Sequence, residues 1–164
     1  MTRPDSDVRV KVADYAVRQG SQVITTIGLG SCVAIALYDR ETRIGALAHI
    51  LLPNQSMSRE TGNPAKFPES LVPLMLEEMH AMGTRNARVS AKIVGGASMF
   101  GQLGNGTGIN IGERNVLATR EALSAAGVPI IAEDTGLDYG RSVYFHLADG
   151  RLEVRSLKKG DRVI

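Results

Sequence analysis

The sequence contains a single cysteine, no tryptophan and few aromatic side chains, and each scarcity excludes a class of structure or function. Cys32 has no second thiol with which to form an internal disulfide, so packing must hold the fold together. Aromatic residues make up 4% of the chain, which leaves few rings on which nucleic-acid bases could stack. The 19 basic and 17 acidic residues are scattered and form no stripe along which a phosphate backbone could lie. We therefore expect no nucleic-acid partner.

Long apolar runs are also missing from the chain. The apolar stretches break well before the roughly 20 residues that a membrane span needs, so we expect no membrane insertion. Residues 1–7 carry charges where a secretory signal would have its apolar core, which predicts a cytoplasmic protein. The length of 164 residues and a hydrophobic content of 43% suit one core, so we predict a single domain over residues 1–164.

Short runs rich in β-branched and apolar residues predict a fold dominated by strands. They lie at 8–12, 22–27, 32–38, 44–52, 89–94, 130–132, 142–147 and 152–155. The segment 39–43 and the pair Asp149-Gly150 predict hairpin turns between antiparallel neighbours. Residues 52–67 form a polar loop that is too long for a simple connection and is typical of a functional rim.

Two amphipathic helices are predicted between these strands. The first begins at a Ser70 cap, has Pro73 in its first turn and ends at Gly83, and the second runs from Glu113 to Gly127. Both should pack on the sheet through their apolar faces. We therefore predict the α+β class, with a single layered α/β domain, a largely antiparallel sheet and packed helices.

The cysteine occupies a position that suits a nucleophile, because a glycine-containing turn there enters an apolar strand. Gly28 and Gly30 permit positive φ angles and close approach of a substrate carbonyl. The backbone N–H groups of Ser31 and Cys32 are then the candidate donors to the oxyanion. Because a thiolate is the reactive species, we expect a histidine partner, partial accessibility and a depressed pKa for Cys32.

Three histidines compete for the role of that partner. His80 falls near the end of the first helix, where a cation complements the helix dipole, and His146 is typical of a surface-facing strand residue. His49 instead lies in an apolar strand, where an unpartnered imidazole would be costly. A hairpin around segment 39–43 would bring His49 and Cys32 to the same end of neighbouring strands.

A threonine ahead of the cysteine could orient the histidine ring as the third member of a triad. Thr26 is the first candidate and Thr25 the alternative, because strand alternation presents only one of them to a given face. On residue types alone, two interpretations stay open. Cys32 and His49 form a catalytic pair, or they are a buried structural cysteine and a satisfied core histidine.

Other motifs in the chain predict no further chemistry. The glycine-containing segments 28–30, 95–96 and 104–108 match neither the dinucleotide fingerprint nor the phosphate-binding loop, and they predict turns. One cysteine and three histidines spread along the chain lack the spacing of zinc ligands, and no Asp-rich calcium loop occurs. The sequence therefore predicts no metal and no cofactor.

Several blocks of the sequence resemble, in order and spacing, the CheD family of chemoreceptor glutamine deamidases. The blocks are Thr26, Gly-Leu-Gly-Ser-Cys-Val at 28–33, Ala-His followed by Leu-Pro at 48–53, and the segments 91–100, 110–115, 132–136 and 140–143. The resemblance extends over residues 8–155. One residue departs from the family pattern: Leu137 stands where the second glycine of Thr-Gly-Gly is usual. This departure concerns the shape of a loop and not the triad.

The resemblance implies a cysteine-dependent amidohydrolase that converts receptor glutamine to glutamate. It implies Cys32 as nucleophile, His49 as general base and acid, and Thr26 as the residue that orients His49. It also implies a fold like that of bacterial toxin deamidases, chemoreceptor cytoplasmic domains as the substrate, and association with a CheC-type phosphatase. Two alternatives stay open: a non-catalytic adaptor that binds receptor or phosphatase, and a cysteine hydrolase that acts on another amide.

Overall fold

A computed structural model describes residues 7–99 and 110–164, which form two five-stranded sheets and two α-helices. The first sheet contains, in spatial order, β1 (Val8–Arg9), β3 (Val23–Leu29), β8 (Arg141–His146), β9 (Leu152–Arg155) and β10 (Arg162–Val163). The second contains β2 (Asp14–Gln19), β5 (Ile44–Ile50), β4 (Val33–Asp39), β6 (Val89–Gly95) and β7 (Ile130–Thr135). The helices are α1 (Pro68–Ala81) and α2 (Ile111–Ala125).

Most neighbouring strands run antiparallel, and the parallel pairs in the described part of the chain are β1 with β3 and β6 with β7. The predicted α+β class with largely antiparallel pairing is confirmed, but the strands form two sheets rather than the one sheet that was predicted. The predicted hairpins at 39–43 and Asp149-Gly150 are also confirmed, since they join β4 to β5 and β8 to β9.

The second sheet is the middle layer of the protein. Ile35 and Ile93 on one face belong to the core that includes Met75 of α1. Ala34 on the other face belongs to a separate core that includes Phe145 of the first sheet. Because both faces of β4 and β5 are covered, these strands are apolar at nearly every position rather than alternately. Each large side chain buried there stabilises the fold by about 1.5–3 kcal/mol.

The first helix differs from its prediction at the N-terminus. It begins at Pro68, and Phe67 occupies the capping position. Proline is tolerated at the first helical residue because an N–H there would have no acceptor within the helix. Ser70 is therefore not the cap, and its hydroxyl donates to the carbonyl oxygens of Pro64 and Phe67. Pro73 lies inside the helix rather than in its first turn.

The second helix begins at Ile111 rather than at Glu113, because the side chain of Asn110 accepts a hydrogen bond from the N–H of Glu113. The strands β2 and β10 were not predicted. Both lie at a sheet edge, where β2 carries several exposed polar residues and β10 is only two residues long. The predicted turn at 104–108 lies outside the described residues. Neither described helix is long and apolar enough to cross a membrane.

Candidate active site

The antiparallel hairpin of β4 and β5 brings Cys32 and His49 to one face of the second sheet. In the register of the hairpin, Val33 lies opposite Ile50 and Ala34 opposite His49. Cys32 immediately precedes β4 and lies two residues before Ala34, so strand alternation places it on the face that Ala34 shares with His49. The cysteine belongs to the core between the two sheets. The predicted placement of both residues at the end of the hairpin opposite its turn is therefore observed.

The imidazole of His49 is fully buried and contacts a residue of the opposite sheet. Its Nδ1 lies 2.7 Å from Oγ1 of Thr26 in β3, and Thr26 is also fully buried. Between the two candidate threonines, the structure therefore places Thr26 against the histidine. Strand alternation turns the side chain of Thr25 to the opposite face of β3.

The hydrogen bonds of Thr26 determine which nitrogen of His49 carries the proton. The Thr26 hydroxyl lies 2.8 Å from the carbonyl oxygen of Val10, which can only accept, so the single hydroxyl proton is donated there. At the other contact Thr26 must accept, and the donor is the Nδ1–H of His49. The lone pair of His49 is then on Nε2, which is buried and has no hydrogen-bond partner among the described residues.

Burial lowers the pKa of His49 to about 4. The cause is desolvation, which penalises the charged imidazolium relative to the neutral ring. At neutral pH the ring is therefore uncharged, and its Nε2 is a free base. Such a nitrogen can accept a proton from a neighbouring acid.

The expectation of an accessible cysteine with a depressed pKa was wrong. Cys32 is 9% exposed, and burial raises the pKa of its thiol. Its own backbone N–H opposes this effect and is the smaller influence. His49, on the same face of the hairpin, is also neutral, so the resting site contains a neutral thiol and a neutral imidazole rather than a thiolate and an imidazolium.

The glycine pair Gly95-Gly96 supports the turn that carries Cys32. The N–H of Gly96 donates to the carbonyl oxygen of Cys32 at 2.8 Å. Gly95 has a φ of 113°, and a Cβ there would lie 2.3 Å from that same oxygen. The close approach therefore requires glycine at position 95, so a segment that the sequence predicts only as a turn also supports the backbone of Cys32.

The remaining histidines have other partners. Nε2 of His80, near the end of α1, lies 3.1 Å from Oδ1 of Asn86. Nε2 of His146 lies 2.9 Å from a carboxylate oxygen of Glu153 on the neighbouring strand β9. Within ranges 7–99 and 110–164, no group of three or more His, Cys, Asp or Glu side chains is arranged to hold a metal ion.

Leu137, the departure from the family pattern, has a φ of 59° and follows Gly136, whose φ is 77°. Left-handed backbone costs a residue with a Cβ about 1–2 kcal/mol. The loop therefore keeps a conformation that suits glycine although leucine occupies the position. The side chain is 64% exposed, so Leu137 adds an apolar group to the surface.

We expect the neutral burial of His49 to make the protein sensitive to acid. Between pH 6.5 and pH 4 the unfolded chain binds a proton at this ring that the folded protein does not, so stability falls as the pH falls. Above pH 6.5 the free energy of unfolding carries no penalty from His49. By pH 4.5 protonation of this ring in the unfolded chain should lower the free energy of unfolding by about 2–3 kcal/mol. Urea unfolding of the wild type and of His49→Leu across this range measures it. The difference between their pH profiles isolates His49, because all other ionisable groups are shared, and parallel profiles would contradict the assignment.

Comparison with known proteins relates the chain to one family. Residues 51–156 match the model of the CheD family, described as CheD chemotactic sensory transduction. A probable chemoreceptor glutamine deamidase CheD of Caldanaerobacter subterraneus subsp. tengcongensis is 43% identical, with 96% of this chain and 97% of that protein covered. Its counterpart in Pyrococcus horikoshii is 41% identical, with 94% of each chain covered. A probable CheD 2 of Geobacter metallireducens is 46% identical, with coverages of 93% and 94%.

Proposed function

The chain belongs to the CheD family, and on that premise we propose that it is a protein-glutamine deamidase of chemoreceptors. Its substrates are glutamine side chains in the cytoplasmic domains of methyl-accepting receptors, and its products are glutamate and ammonia. The observation that carries the proposal is the buried contact of Thr26 with His49 Nδ1, which leaves Nε2 as a base on the face that Cys32 shares. Cys32, His49 and Thr26 are the proposed catalytic triad.

The first half of the reaction forms a thioester. Nε2 of His49 takes the proton of the Cys32 thiol as the sulfur attacks the carboxamide carbon of the glutamine. The carbonyl electron pair moves to oxygen, where the N–H groups of Ser31 and Cys32 are the candidate donors. When the intermediate collapses, the imidazolium returns its proton to the leaving nitrogen, and ammonia departs.

The second half hydrolyses that thioester. His49, neutral again, takes a proton from a water molecule whose oxygen attacks the thioester carbon. The C–S bond breaks, the proton returns to the sulfur, and the product is a glutamate side chain that ionises in water. The receptor helix thereby gains one negative charge, which changes repulsion between neighbouring helices and can shift a two-state signalling equilibrium.

Proton transfer in this scheme is coupled to attack, because the resting thiol and imidazole are both neutral. Burial disfavours the thiolate of Cys32 and the imidazolium of His49 alike. The two charges then form together, and each is stabilised by the other in a buried site where the effective dielectric constant is low. A thiol held in its neutral form is also a poor target for oxidation between turnovers.

The substrate is a protein surface, so it must reach Cys32 from outside the sheets. Ile27 and Gly28, the two residues that follow Thr26, are exposed where β3 departs from regular pairing with β8. Residues 53–67 follow the strand that carries His49. The N–H groups of Leu51 and Leu52, just beyond the end of that strand, donate to the carbonyl oxygen of Lys66 in this segment. We assign this segment as the rim that receives the receptor helix, and association with a CheC-type phosphatase belongs to the same proposal.

Incubation with a receptor cytoplasmic fragment tests the function. We expect mass spectrometry to find particular glutamines converted to glutamate, with one ammonia released for each conversion. A wild-type protein that binds the fragment and converts no glutamine, with or without a CheC-type phosphatase, would support the adaptor alternative. Conversion of another amide alone would retain the chemistry and reassign the substrate.

A further inference from the structure

Asn115 of α2 is fully buried and connects the two strands of the active-site hairpin. Its Nδ2 donates to the carbonyl oxygen of Ser31 at 2.9 Å and to that of Leu51 at 3.1 Å. Ser31 immediately precedes the cysteine, and Leu51 lies two residues beyond His49. One side chain from a helix therefore holds backbone groups beside both proposed catalytic residues.

The orientation of this amide is determined by its partners. Both partners are carbonyl oxygens and can only accept, so the NH₂ group must face them. A rotation by half a turn would place Oδ1 against the same two oxygens. Oδ1 points away from them instead and, among the described residues, has no hydrogen-bond partner. Asn115 therefore binds the two carbonyl oxygens through the two N–H donors of its amide.

Holding the carbonyl of Ser31 also aims the N–H of Cys32. The two groups belong to the same planar trans peptide, in which C=O and N–H point in opposite directions. Asn115 draws the oxygen towards α2, so the N–H points away from the helix. That N–H also interacts with the sulfur of its own residue and lowers the pKa of the thiol, so the donor lies close to the atom that attacks.

The neighbouring peptides of the turn are fixed in the same way. The N–H of Ala97 donates to the carbonyl oxygen of Gly30 at 2.9 Å, and the N–H of Gly96 donates to that of Cys32 at 2.8 Å. A Cβ on Gly112 of α2 would lie 2.3 Å from the carbonyl oxygen of Ala97, so the first turn of the helix packs directly on this segment. Three successive carbonyls are thus held, and the middle one depends on a side chain.

We propose that Asn115 is a positioning residue for deamidation, which orients the Ser31–Cys32 peptide so that the N–H of Cys32 donates to the oxyanion. The contact with Leu51 keeps the strand end beyond His49 in register with that peptide. The inference rests on the proposed function, since it assigns a role within that reaction. Asn115 belongs to the segment 110–115, for which the sequence alone predicts no catalytic role.

Two variants and a matched control test this role. Asn115→Leu removes both donors with little change in size, and Asn115→Asp, held protonated between two carbonyl oxygens, keeps one. Thr119→Val is the control, because Thr119 is equally buried one turn later and donates only to the carbonyl oxygen of Asn115 within the helix. Deamidation of a receptor fragment gives kcat and KM, and alkylation of Cys32 by iodoacetamide gives the reactivity of the thiol without an oxyanion.

We expect Asn115→Leu to lower kcat about 100-fold, the cost of one misdirected oxyanion donor, with KM unchanged. Alkylation should change by less than about threefold, since displacement of iodide develops no oxyanion. At low pH, kcat of Asn115→Asp should lie between the values of Asn115→Leu and the wild type. It should fall as the pH rises, because the carboxyl ionises and loses its donor. Thr119→Val should retain wild-type kcat.

The outcomes separate this inference from the proposed function. A wild type that converts glutamine, with unchanged kcat in Asn115→Leu, overturns the inference alone. Equal losses of kcat and of alkylation, or an equal loss in Thr119→Val, would show that Asn115 supports the fold and not the oxyanion. If Asn115→Leu does not fold, the pH dependence of kcat in Asn115→Asp decides. A wild type that converts no glutamine overturns both proposals.

Discussion

Cys32→Ala is expected to abolish conversion of receptor glutamine while leaving the fold and receptor binding intact. Without the sulfur no thioester can form, so turnover should fall by roughly four orders of magnitude or more. The structural cost should be small, because the substitution removes one atom from a site at the start of β4 rather than a large core side chain. We expect a loss of stability of about 1 kcal/mol.

Two measurements keep chemistry and structure apart in this experiment. Circular dichroism and binding to the receptor fragment report the fold and the docking surface, and mass spectrometry reports conversion. Rapid acid quench of the wild type at early times should also reveal receptor fragment attached to Cys32 through a thioester. Conversion by Cys32→Ala at the wild-type rate would remove the covalent mechanism, whereas binding without conversion by both proteins would leave the adaptor interpretation.

The hairpin and the histidine could be predicted because both depend on local pattern. Segment 39–43 is a polar break between two apolar runs, and such a break predicts antiparallel neighbours. A histidine inside an apolar strand must have a buried partner, and alternation allowed only one of two adjacent threonines to supply it. These constraints narrow the partner of His49 to Thr25 or Thr26, and the structure shows that it is Thr26, while the catalytic roles of Thr26 and His49 stay proposals.

The ionisation state of the site could not be read from the sequence. A depressed pKa for Cys32 needs a stabilising influence stronger than desolvation, such as a nearby cation, and the sequence supplied only a histidine whose own charge depends on burial. The two-sheet architecture decides the matter, because it covers the hairpin face that carries both residues. Desolvation then acts against each charged form, and the pair is neutral.

Edge strands and buried polar contacts were also beyond prediction. β2 begins and ends with exposed polar residues, and β10 is only two exposed residues long, so neither shows the apolar pattern that identifies a strand. Asn115 has a polar side chain within an amphipathic helix, where the usual expectation is a solvated face. Only the contacts with the carbonyl oxygens of Ser31 and Leu51 explain its burial, and these depend on how α2 docks on the hairpin.

His49→Ala is expected to lower kcat/KM by roughly 1,000-fold or more, and Thr26→Val by about tenfold. The first variant removes the base that takes the thiol proton, and the thiol of Cys32 is neutral without it. The second keeps the base and removes the hydroxyl that accepts from Nδ1–H, so the tautomer with its lone pair on Nε2 is no longer selected. Initial rates of glutamine conversion across pH measure both effects, and the wild type should lose activity only as the pH falls towards 4, where His49 gains a proton.

Matched threonine variants decide whether the hydroxyl of Thr26 is responsible. Thr26→Ser keeps the oxygen and should recover most of the rate that Thr26→Val loses, because the hydroxyl can still donate to the carbonyl oxygen of Val10 and accept from the ring. Thr25→Val makes the same chemical change on the opposite face of β3 and should retain the wild-type rate. Full activity in His49→Ala would remove the histidine from the mechanism. Loss in Thr25→Val with full activity in Thr26→Val would mean that the contact seen in the resting protein is not the one that orients His49 during turnover.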